Sequence, residues 1–380
     1  MAEQGLQRHA AQIPTNHKRV DVGDGRLCLN LAGNDYLALA QDGRLIRAAQ
    51  EAAERYGVGS GASRLIGSGS PVHAQVESEV AAWKHAEAAL LLPTGYMANL
   101  AALQTLAGPG DLVLHDKLNH ASLLDAGRAC GARWRTFGHL DYRRLERLLE
   151  RARRAQGDAA VGRIVIATDA VFSMDGDVAD LPALCDLAAR YRAVLLVDEA
   201  HASGVLGRTG AGLAEAQGVA DRVDVSIVTA SKGLGSLGGL ICGSQTLIDA
   251  VVHLGRAAIY TTGVPPTQAA CVGEAVRIVQ MEPERRARLA TLSAALRDRL
   301  RSLAWEVPES AWPTPIVPVW VGEAEAATAL SARLRQAGVY APAVRPPTVA
   351  PGASRIRLSL RSDFTEIDLG AVAQAFGTKG

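Results

Sequence analysis

Short apolar β-type runs alternate with helix-like segments from about residue 44 to 262, and this alternation constrains the fold more than any other feature. Helix-like stretches such as DYRRLERLLERARRA and LPALCDLAARY separate the runs. Strands buried on both faces of a parallel sheet give nearly continuous apolar runs, because crossover helices cover both faces. The pattern therefore predicts an α/β fold with a mainly parallel sheet. The runs are AALLL (88–92), DLVLH (111–115), RIVIATDA (163–170), AVLLVDEA (193–200), VDVSIVTA (223–230) and GGLICG (238–243).

The pattern changes after the proline pair at 265–266. Two long helix-like segments, 267–280 and 284–304, lead into PIVPVWVG, a further helix, RIRLSL and a last helix. A chain of 380 residues can form one large domain and a smaller one. We expect an N-terminal arm (1–43), a large domain (44–264) and a small α+β domain (265–380).

Charge and cysteine usage exclude several classes of protein. The net charge is +1, and no Lys/Arg block with interleaved aromatic residues is present, so neither nucleic acid nor a membrane surface is expected as a partner. The N-terminal region lacks the apolar core of a signal peptide, and no apolar stretch is long enough to span a bilayer. Five scattered cysteines without a CxxC motif favour reduced thiols over a disulfide framework or a zinc site. These features predict a cytoplasmic protein.

Lys232 stands just past the apolar run in VDVSIVTASKG and before the glycine-rich turn GLGSLGG. A lysine fixed at the end of a buried strand, with its amine facing a cavity, can act as a nucleophile or a base, because desolvation favours the neutral amine. This is the geometry that a Schiff-base lysine needs. An ordinary solvated lysine at a strand end is the alternative.

Other polar residues also follow strands, where ligands gather in an open parallel sheet. Gly95 in PTGYMAN begins a helix whose free N–H groups suit a phosphate. Asp198 and His201 in VDEAH follow a buried strand, and a carboxylate there should face a cation. His120 lies near a helix start in LNHAS, and Ser173 follows a strand in VFSMDGD. Each of these residues alone also fits an ordinary cap, turn or structural role.

Two competing motif interpretations fail. DEAH is also a helicase string, but the chain has no GxxxxGK[ST] phosphate loop to accompany it. The glycine-rich segment GVGSGASRLIGSGS (57–70) has Ala62 where a dinucleotide fingerprint needs glycine, and it follows a helix instead of a strand. We interpret it as a loop that lines a site or a subunit contact. A metal site built from Asp198 and His201 stays open.

In chain order the residues give a phosphate-binding turn, a histidine, a serine, an Asp-x-x-His and a lysine. Pyridoxal 5′-phosphate (PLP) needs this set, because its phosphate must be held, its ring nitrogen kept protonated, its ring stacked and its aldehyde tied to a lysine. The chain carries, in this order, the motifs NDYL (34–37), GSGASRL, TGYMAN, NHAS, VFSMDGD, VDEAH, SKG and YTTGVPP. These ordered motifs resemble the α-oxoamine synthases, a branch of the fold-type-I PLP transferases, over nearly the whole chain.

The resemblance implies a seven-stranded sheet, a homodimer with its active site at the subunit interface, and a role for each cofactor residue. Lys232 binds the cofactor covalently and later moves the substrate proton, while Asp198 pairs with the ring nitrogen. His201 bonds the ring hydroxyl oxygen, with Ser173 near the same edge, and His120 stacks on the ring. Gly95, Tyr96 and Thr229 contact the phosphate end, and Thr262 reaches the phosphate of a neighbouring subunit.

The same resemblance implies a decarboxylating condensation of an amino acid with an acyl thioester. RPPTVAPGASRIRLSL is most similar to the branch members of biotin biosynthesis, which use L-alanine and a pimeloyl group carried on coenzyme A or acyl carrier protein. Arg357, favoured over Arg355, would bind the substrate carboxylate. Glycine-using members of the branch, glycine C-acetyltransferase or 5-aminolevulinate synthase, and a non-catalytic binding protein are the alternatives. The substrate-binding residues implied are Arg8, Asn34, His120, Arg357 and Ser359.

Overall fold

The computed structural model describes residues 13–14, 16–23, 25–155 and 160–379, which form two compact units. The larger unit comprises Asp42–Phe172 and Val178–Pro283. The smaller unit comprises the described residues through Gln41, the segment Ser173–Asp177 and the described residues from Glu284 onward.

A seven-stranded sheet forms the centre of the larger unit. Its strands are β3 (Ala88–Leu92), β4 (Leu112–Asp116), β5 (Arg133–Phe137), β6 (Ile164–Asp169), β7 (Val194–Asp198), β8 (Val225–Thr229) and β9 (Gly239–Gly243). Their order across the sheet is β3-β9-β8-β7-β6-β4-β5. Only β9 pairs antiparallel with its neighbours, β8 and β3, and the other neighbours are parallel. The predicted fold class, with its mainly parallel seven-stranded sheet, is confirmed.

Ten α-helices accompany this sheet in the described residues of the larger unit. They are α1 (Gly43–Tyr56), α2 (Pro71–Trp83), α3 (Gly95–Leu106), α4 (Ala121–Ala129), α5 (Tyr142–Arg154), α6 (Leu181–Tyr191), α7 (Leu213–Ala216), α8 (Gln245–Leu254), α9 (Arg256–Ile259) and α10 (Pro266–Met281). Apolar side chains of α3, α4 and α8 pack with those of the central strands in one core. Every residue of β6 is buried, which explains its continuous apolar run.

Strand β5 has no counterpart among the predicted strands. Its sequence, RWRTF, places Arg133 and Arg135 among only five residues, and it lies at the edge of the sheet next to β4. Phe137 is buried, whereas the other side chains are partly or fully exposed. An edge strand with one solvated face needs no continuous apolar run, so the apolar pattern could not identify it.

Where the structure describes it, the smaller unit contains two three-stranded sheets and three α-helices. Strands β1 (Arg19–Asp21), β2 (Leu27–Asn30) and β11 (Val339–Tyr340) form one sheet, in the order β1-β2-β11. Strands β10 (Ile316–Gly322), β13 (Ser354–Ser359) and β12 (Ala343–Val344) form the other, in the order β10-β13-β12. The helices are α11 (Pro283–Ser302), α12 (Ala324–Gln336) and α13 (Glu366–Phe376).

The compact units differ from the domain limits expected from the sequence. The larger unit continues to Pro283 instead of ending at 264, because α10 packs against α1 and α2. The expected N-terminal arm supplies β1 and β2 to the smaller unit, where β2 pairs in parallel with β11. The proline pair at 265–266 marks the start of α10. The unit to which α10 belongs is determined by its packing against α1 and α2.

None of the helices in the described part of the chain is both long enough and apolar enough to cross a membrane.

Candidate active site

A cavity of about 210 Å³ lies at the carboxyl ends of β6, β7 and β8. Asp169, Asp198 and Thr229 are the last residues of these three strands, and all three line the cavity. The predicted residues that the structure brings together here are Gly95, Tyr96, His120, Asp198, His201, Thr229 and Lys232. Because the carboxyl ends of parallel strands meet at one edge, residues distant in sequence share this cavity.

Lys232 lies in the tight turn between β8 and β9, with its Nζ 2.9 Å from Nε2 of His201. The turn is closed by backbone hydrogen bonds from Gly235 to Lys232 and from Ala230 to the carbonyl of Gly238. Gly233 admits no side chain, since a Cβ there would lie 2.6 Å from the Ser203 carbonyl oxygen. The glycine after Lys232 therefore lets this turn pack closely against Ser203, and the amine of Lys232 lies beside His201.

Both carboxylate oxygens of Asp198 accept hydrogen bonds from N–H donors. Asn99 Nδ2 donates to one oxygen at 2.6 Å, and the backbone N–H of Ala200 donates to the other at 2.9 Å. The residue is only 5% exposed. These two donors hold the carboxylate group in one orientation, as pairing with a protonated ring nitrogen requires.

His120 is fixed in place by a chain of hydrogen bonds that begins at Asp198. The amide of Asn99 also donates to Ser122 Oγ at 2.8 Å, and Ser122 Oγ lies 2.7 Å from His120 Nδ1. His120 is also the N-cap of α4, where its side chain accepts from the N–H of Ser122. Burial lowers the pKa of His120, although Asp198 opposes this effect. A neutral imidazole that these hydrogen bonds hold in one orientation suits stacking on the ring of a cofactor.

The start of α3 is closely packed against two strand ends. A Cβ on Gly95 would lie 2.0 Å from Thr229 Oγ1, and one on Gly239 would lie 2.3 Å from the Thr94 carbonyl oxygen. Glycine at both positions lets the first turn of α3 approach β8 and β9 closely. The first N–H groups of a helix have no partners within the helix and favour anions, so this corner of the cavity suits a phosphate.

Sequence reasoning missed two residues of this site, Asn99 and Asp169. Asp169 lines the cavity, is 3% exposed and accepts a hydrogen bond from the backbone N–H of His120 at 3.0 Å. Its signal was its place at the end of the run RIVIATDA, the same position that singled out Asp198 in its own run. Asn99 lies inside α3, and nothing in the local sequence indicates that its amide joins Asp198 to Ser122.

In the smaller unit, Arg357 on β13 contacts two predicted substrate residues. Its guanidinium donates to Asn34 Oδ1 at 3.2 Å and to Ser359 Oγ at 3.0 Å. It also donates to the Ser173 carbonyl oxygen at 2.5 Å and to the Tyr36 hydroxyl at 3.3 Å. Among the described residues, every hydrogen-bond partner of Arg357 is neutral, so its positive charge is available to an anion.

Arg355 is engaged differently. Its guanidinium forms an ion pair with Asp175 and lies 5.8 Å from the ring centroid of Trp320. Trp320 Nε1 donates to the same carboxylate at 3.1 Å. A guanidinium already paired with a carboxylate is a poor receptor for another, which supports the choice of Arg357 over Arg355.

Besides Asn34, Arg357 and Ser359, three further predicted site residues are not among those that line the cavity. Ser173 belongs to the smaller unit, where its carbonyl accepts from Arg357. Thr262 is exposed and does not line the cavity, so its predicted reach to a neighbouring subunit stays a prediction. Arg8 lies outside the described residues.

A cavity of about 370 Å³ lies at the opposite edge of the sheet, where β7 and β8 begin. Lys84, which lines it, is paired with Glu199 at 2.9 Å, and Glu199 also accepts from the N–H groups of Leu213 and Ala214. These groups fasten the segment after β7 to α2 and α7. Size alone therefore does not select the candidate site, and the groups that line the smaller cavity, not its volume, make it the candidate. Across the described ranges, no cluster of three or more His, Cys, Asp or Glu side chains could hold a metal ion.

Comparisons with known proteins agree on one family. The family model for class I and II aminotransferases matches residues 26–376. The 8-amino-7-oxononanoate synthase of Halorhodospira halophila is 46% identical over 355 residues, covering 93% of this chain and 86% of the relative. The enzyme of the same name from Anaeromyxobacter dehalogenans is 43% identical over 367 residues, covering 96% and 90%.

Solved structures share the fold. A serine palmitoyltransferase from S. paucimobilis with a bound PLP–myriocin aldimine superposes with a TM-score of 0.89 at 28% identity, covering 98% of this chain and 90% of that one. The 8-amino-7-oxononanoate synthase from Francisella tularensis gives a TM-score of 0.76 at 25% identity, covering 91% and 94%. The match of the family model and the identities of the relatives lead to one conclusion: the chain belongs to the class I and II aminotransferase family.

Proposed function

We propose that this protein is a PLP-dependent acyltransferase that condenses L-alanine with a pimeloyl thioester. The products are 8-amino-7-oxononanoate, CO₂ and the free thiol, a step of biotin biosynthesis. One observation carries the proposal: three groups line the same cavity. They are the amine of Lys232, the carboxylate of Asp198 with its two N–H donors, and the fixed imidazole of His120. The names of the relatives at 43–46% identity support the choice of reaction.

The residues present fit the cofactor. Lys232 would hold its aldehyde, Asp198 its ring nitrogen, His201 its ring oxygen and the start of α3 at Gly95 its phosphate. His120 would cover one face of the ring. The buried Oδ1 atoms of Asn99 and Asp169 have no hydrogen-bond partner among the described residues, as expected where polar groups surround a ligand. When bound, PLP supplies an electron sink that stabilises negative charge at the substrate Cα.

The side chains around Lys232 suit proton transfer at that carbon. The Nζ of Lys232 removes the Cα proton of alanine and returns a proton after the condensation. His201 Nε2, 2.9 Å away, orients the amine. The alanine Cα forms a bond to the thioester carbonyl carbon, the thiol leaves, and the original carboxyl group departs as CO₂. A positioned base of this kind contributes about 10²- to 10⁴-fold to the rate.

Arg357 would bind the substrate carboxylate. We expect Arg357→Ala to raise KM about 10- to 100-fold, because the substrate loses hydrogen bonds to a charged group. Steady-state kinetics with varied acyl thioester and varied alanine will show which substrate it contacts. Arg357→Lys should recover only part of the affinity, because an ammonium cannot form the bidentate contact. Arg355→Ala is the matched control, and a larger KM effect there would contradict the choice between the two arginines.

Three further features belong to this proposal. The active site is completed in a homodimer, with Thr262 of one subunit reaching the cofactor phosphate of the other. The acyl group arrives on coenzyme A or on acyl carrier protein. The enzyme works in the cytoplasm, a location that its five free cysteines support.

Product identification tests the function directly. With alanine and pimeloyl-coenzyme A we expect mass spectrometry to detect 8-amino-7-oxononanoate. Alanine and glycine differ by one methyl group, which a pocket distinguishes by about 1–3 kcal/mol, so each amino acid must be assayed against several acyl thioesters. Turnover with glycine alone would replace the proposal by another α-oxoamine synthase activity. Purified protein without colour or bound cofactor would refute PLP chemistry altogether.

A further inference from the structure

Asp169 and Asp198 are two carboxyl groups at the ends of adjacent strands. They are register partners in the parallel pairing of β6 with β7, so both side chains project from the same face of the sheet. Both are buried and both line the cavity proposed to hold the cofactor. Two carboxylates so close together in a buried site do not both ionise readily, because each charge disfavours the other.

The two groups have different hydrogen-bond environments. Each oxygen of Asp198 accepts from an N–H donor, from Asn99 or from Ala200. From the described residues Asp169 receives one such bond, to Oδ2 from the backbone N–H of His120 at 3.0 Å. Its Oδ1 is buried and has no partner within the described part of the chain. A bare, buried carboxylate oxygen is costly, whereas a protonated one can donate a hydrogen bond into the cavity.

The groups facing Asp169 from neighbouring elements also favour its neutral form on balance. Burial is the largest influence and raises the pKa of Asp169 well above its usual value. Asp198 at the end of β7 and Asp116 at the end of β4 raise it further, while Lys232 and the N–H of His120 lower it. Lys232 is the single cation among these neighbours, and its amine is shared with His201.

We propose that Asp169 is a positioning residue that stands in the site as a neutral carboxylic acid. Its Oδ2 fixes the start of α4, and with it the ring of His120, while its proton leaves Asp198 as the only negative charge of the pair. This inference rests on the proposed function, since it concerns the charge presented to the PLP ring. It predicts that an amide can replace the acid, because the asparagine oxygen can accept from the His120 N–H while its Nδ2 takes the place of the protonated Oδ1 as a neutral donor.

The test compares Asp169→Asn, Asp169→Ala and Asp198→Asn in the cofactor-loaded enzyme. The readouts are kcat and the pH midpoint of the change in the visible absorbance of the cofactor. We expect Asp169→Asn to keep kcat within about threefold and the midpoint within about 0.3 pH units, because it removes no charge. Asp169→Ala should lower kcat about 10-fold, since the His120 N–H loses its acceptor.

Two results would overturn the proposal. A midpoint that falls by about one pH unit or more in Asp169→Asn would show that the variant lost a negative charge. An unchanged kcat in Asp169→Ala would remove the positioning role. If Asp169→Asn does not fold, infrared spectra of wild-type enzyme labelled with ¹³C-aspartate decide the question, since a protonated carboxyl band is required at neutral pH. A colourless wild-type protein refutes the proposed function, whereas a yellow one with a shifted Asp169→Asn midpoint refutes this inference alone.

Discussion

Replacing Lys232 by alanine should reduce turnover of alanine and pimeloyl-coenzyme A by more than about 10⁴-fold, because the variant loses both the covalent anchor of the cofactor and the base. The side chain lies in a cavity whose other polar groups offer no second amine in place of Nζ. The imidazole of His201 lies 2.9 Å from the Nζ of Lys232. It cannot replace the lysine, because an imidazole cannot form the covalent anchor to the cofactor aldehyde. Turnover is measured by the appearance of product in mass spectrometry.

Two additional measurements distinguish loss of chemistry from loss of structure. Borohydride should attach the cofactor to Lys232 of the wild-type protein, so that peptide mapping finds the added mass at that residue only. Lys117→Ala, which truncates an exposed lysine outside the cavity, should keep full activity. Retention of more than about 10% of wild-type turnover in Lys232→Ala would contradict the assigned role.

The position of Lys232 illustrates what the sequence could predict. An apolar run of five to eight residues identifies a buried strand, and in a parallel sheet the residues just beyond such runs meet at one edge. Asp198, Thr229 and Lys232 follow this rule, and the structure places all three around one cavity. Sheet class and site location were therefore predictable from short segments, without knowledge of how the helices pack.

Residues whose roles depend on packing between elements were not predictable in this way. Asn99 reaches Asp198 and Ser122 from the middle of α3, a position that only the packing of α3 against the sheet and α4 determines. Asp169 ends its strand as Asp198 does, so its position did carry a signal, but its contact with the N–H of His120 depends on how α4 packs beside β6. Strand β5 was missed because a strand at the edge of the sheet needs no continuous run of apolar residues. The choice between Arg355 and Arg357 needed the partners of each guanidinium, above all Asp175.

Asp198→Asn should lower kcat by about 10²- to 10³-fold while the free energy of unfolding falls by only about 1–3 kcal/mol, the cost of the one N–H donor left without an acceptor. The amide has the shape of the carboxylate, and its oxygen can still accept a hydrogen bond from Asn99 or from the Ala200 N–H. It cannot supply the negative charge that keeps a ring nitrogen protonated, so the electron sink is weakened while the fold is kept. Kinetics with alanine and pimeloyl-coenzyme A and urea unfolding of the same preparation measure the two effects.

The predicted outcome depends on the division of charge between the two neighbouring carboxyl groups. If Asp198 alone carries the charge, Asp198→Asn loses activity and Asp169→Asn does not, although the two residues are register partners and equally deep in the site. Near-normal turnover in Asp198→Asn would contradict its role as the ring-nitrogen partner. Equal losses in both variants would mean that the charge is shared, and the two strand ends would then act as one anionic group.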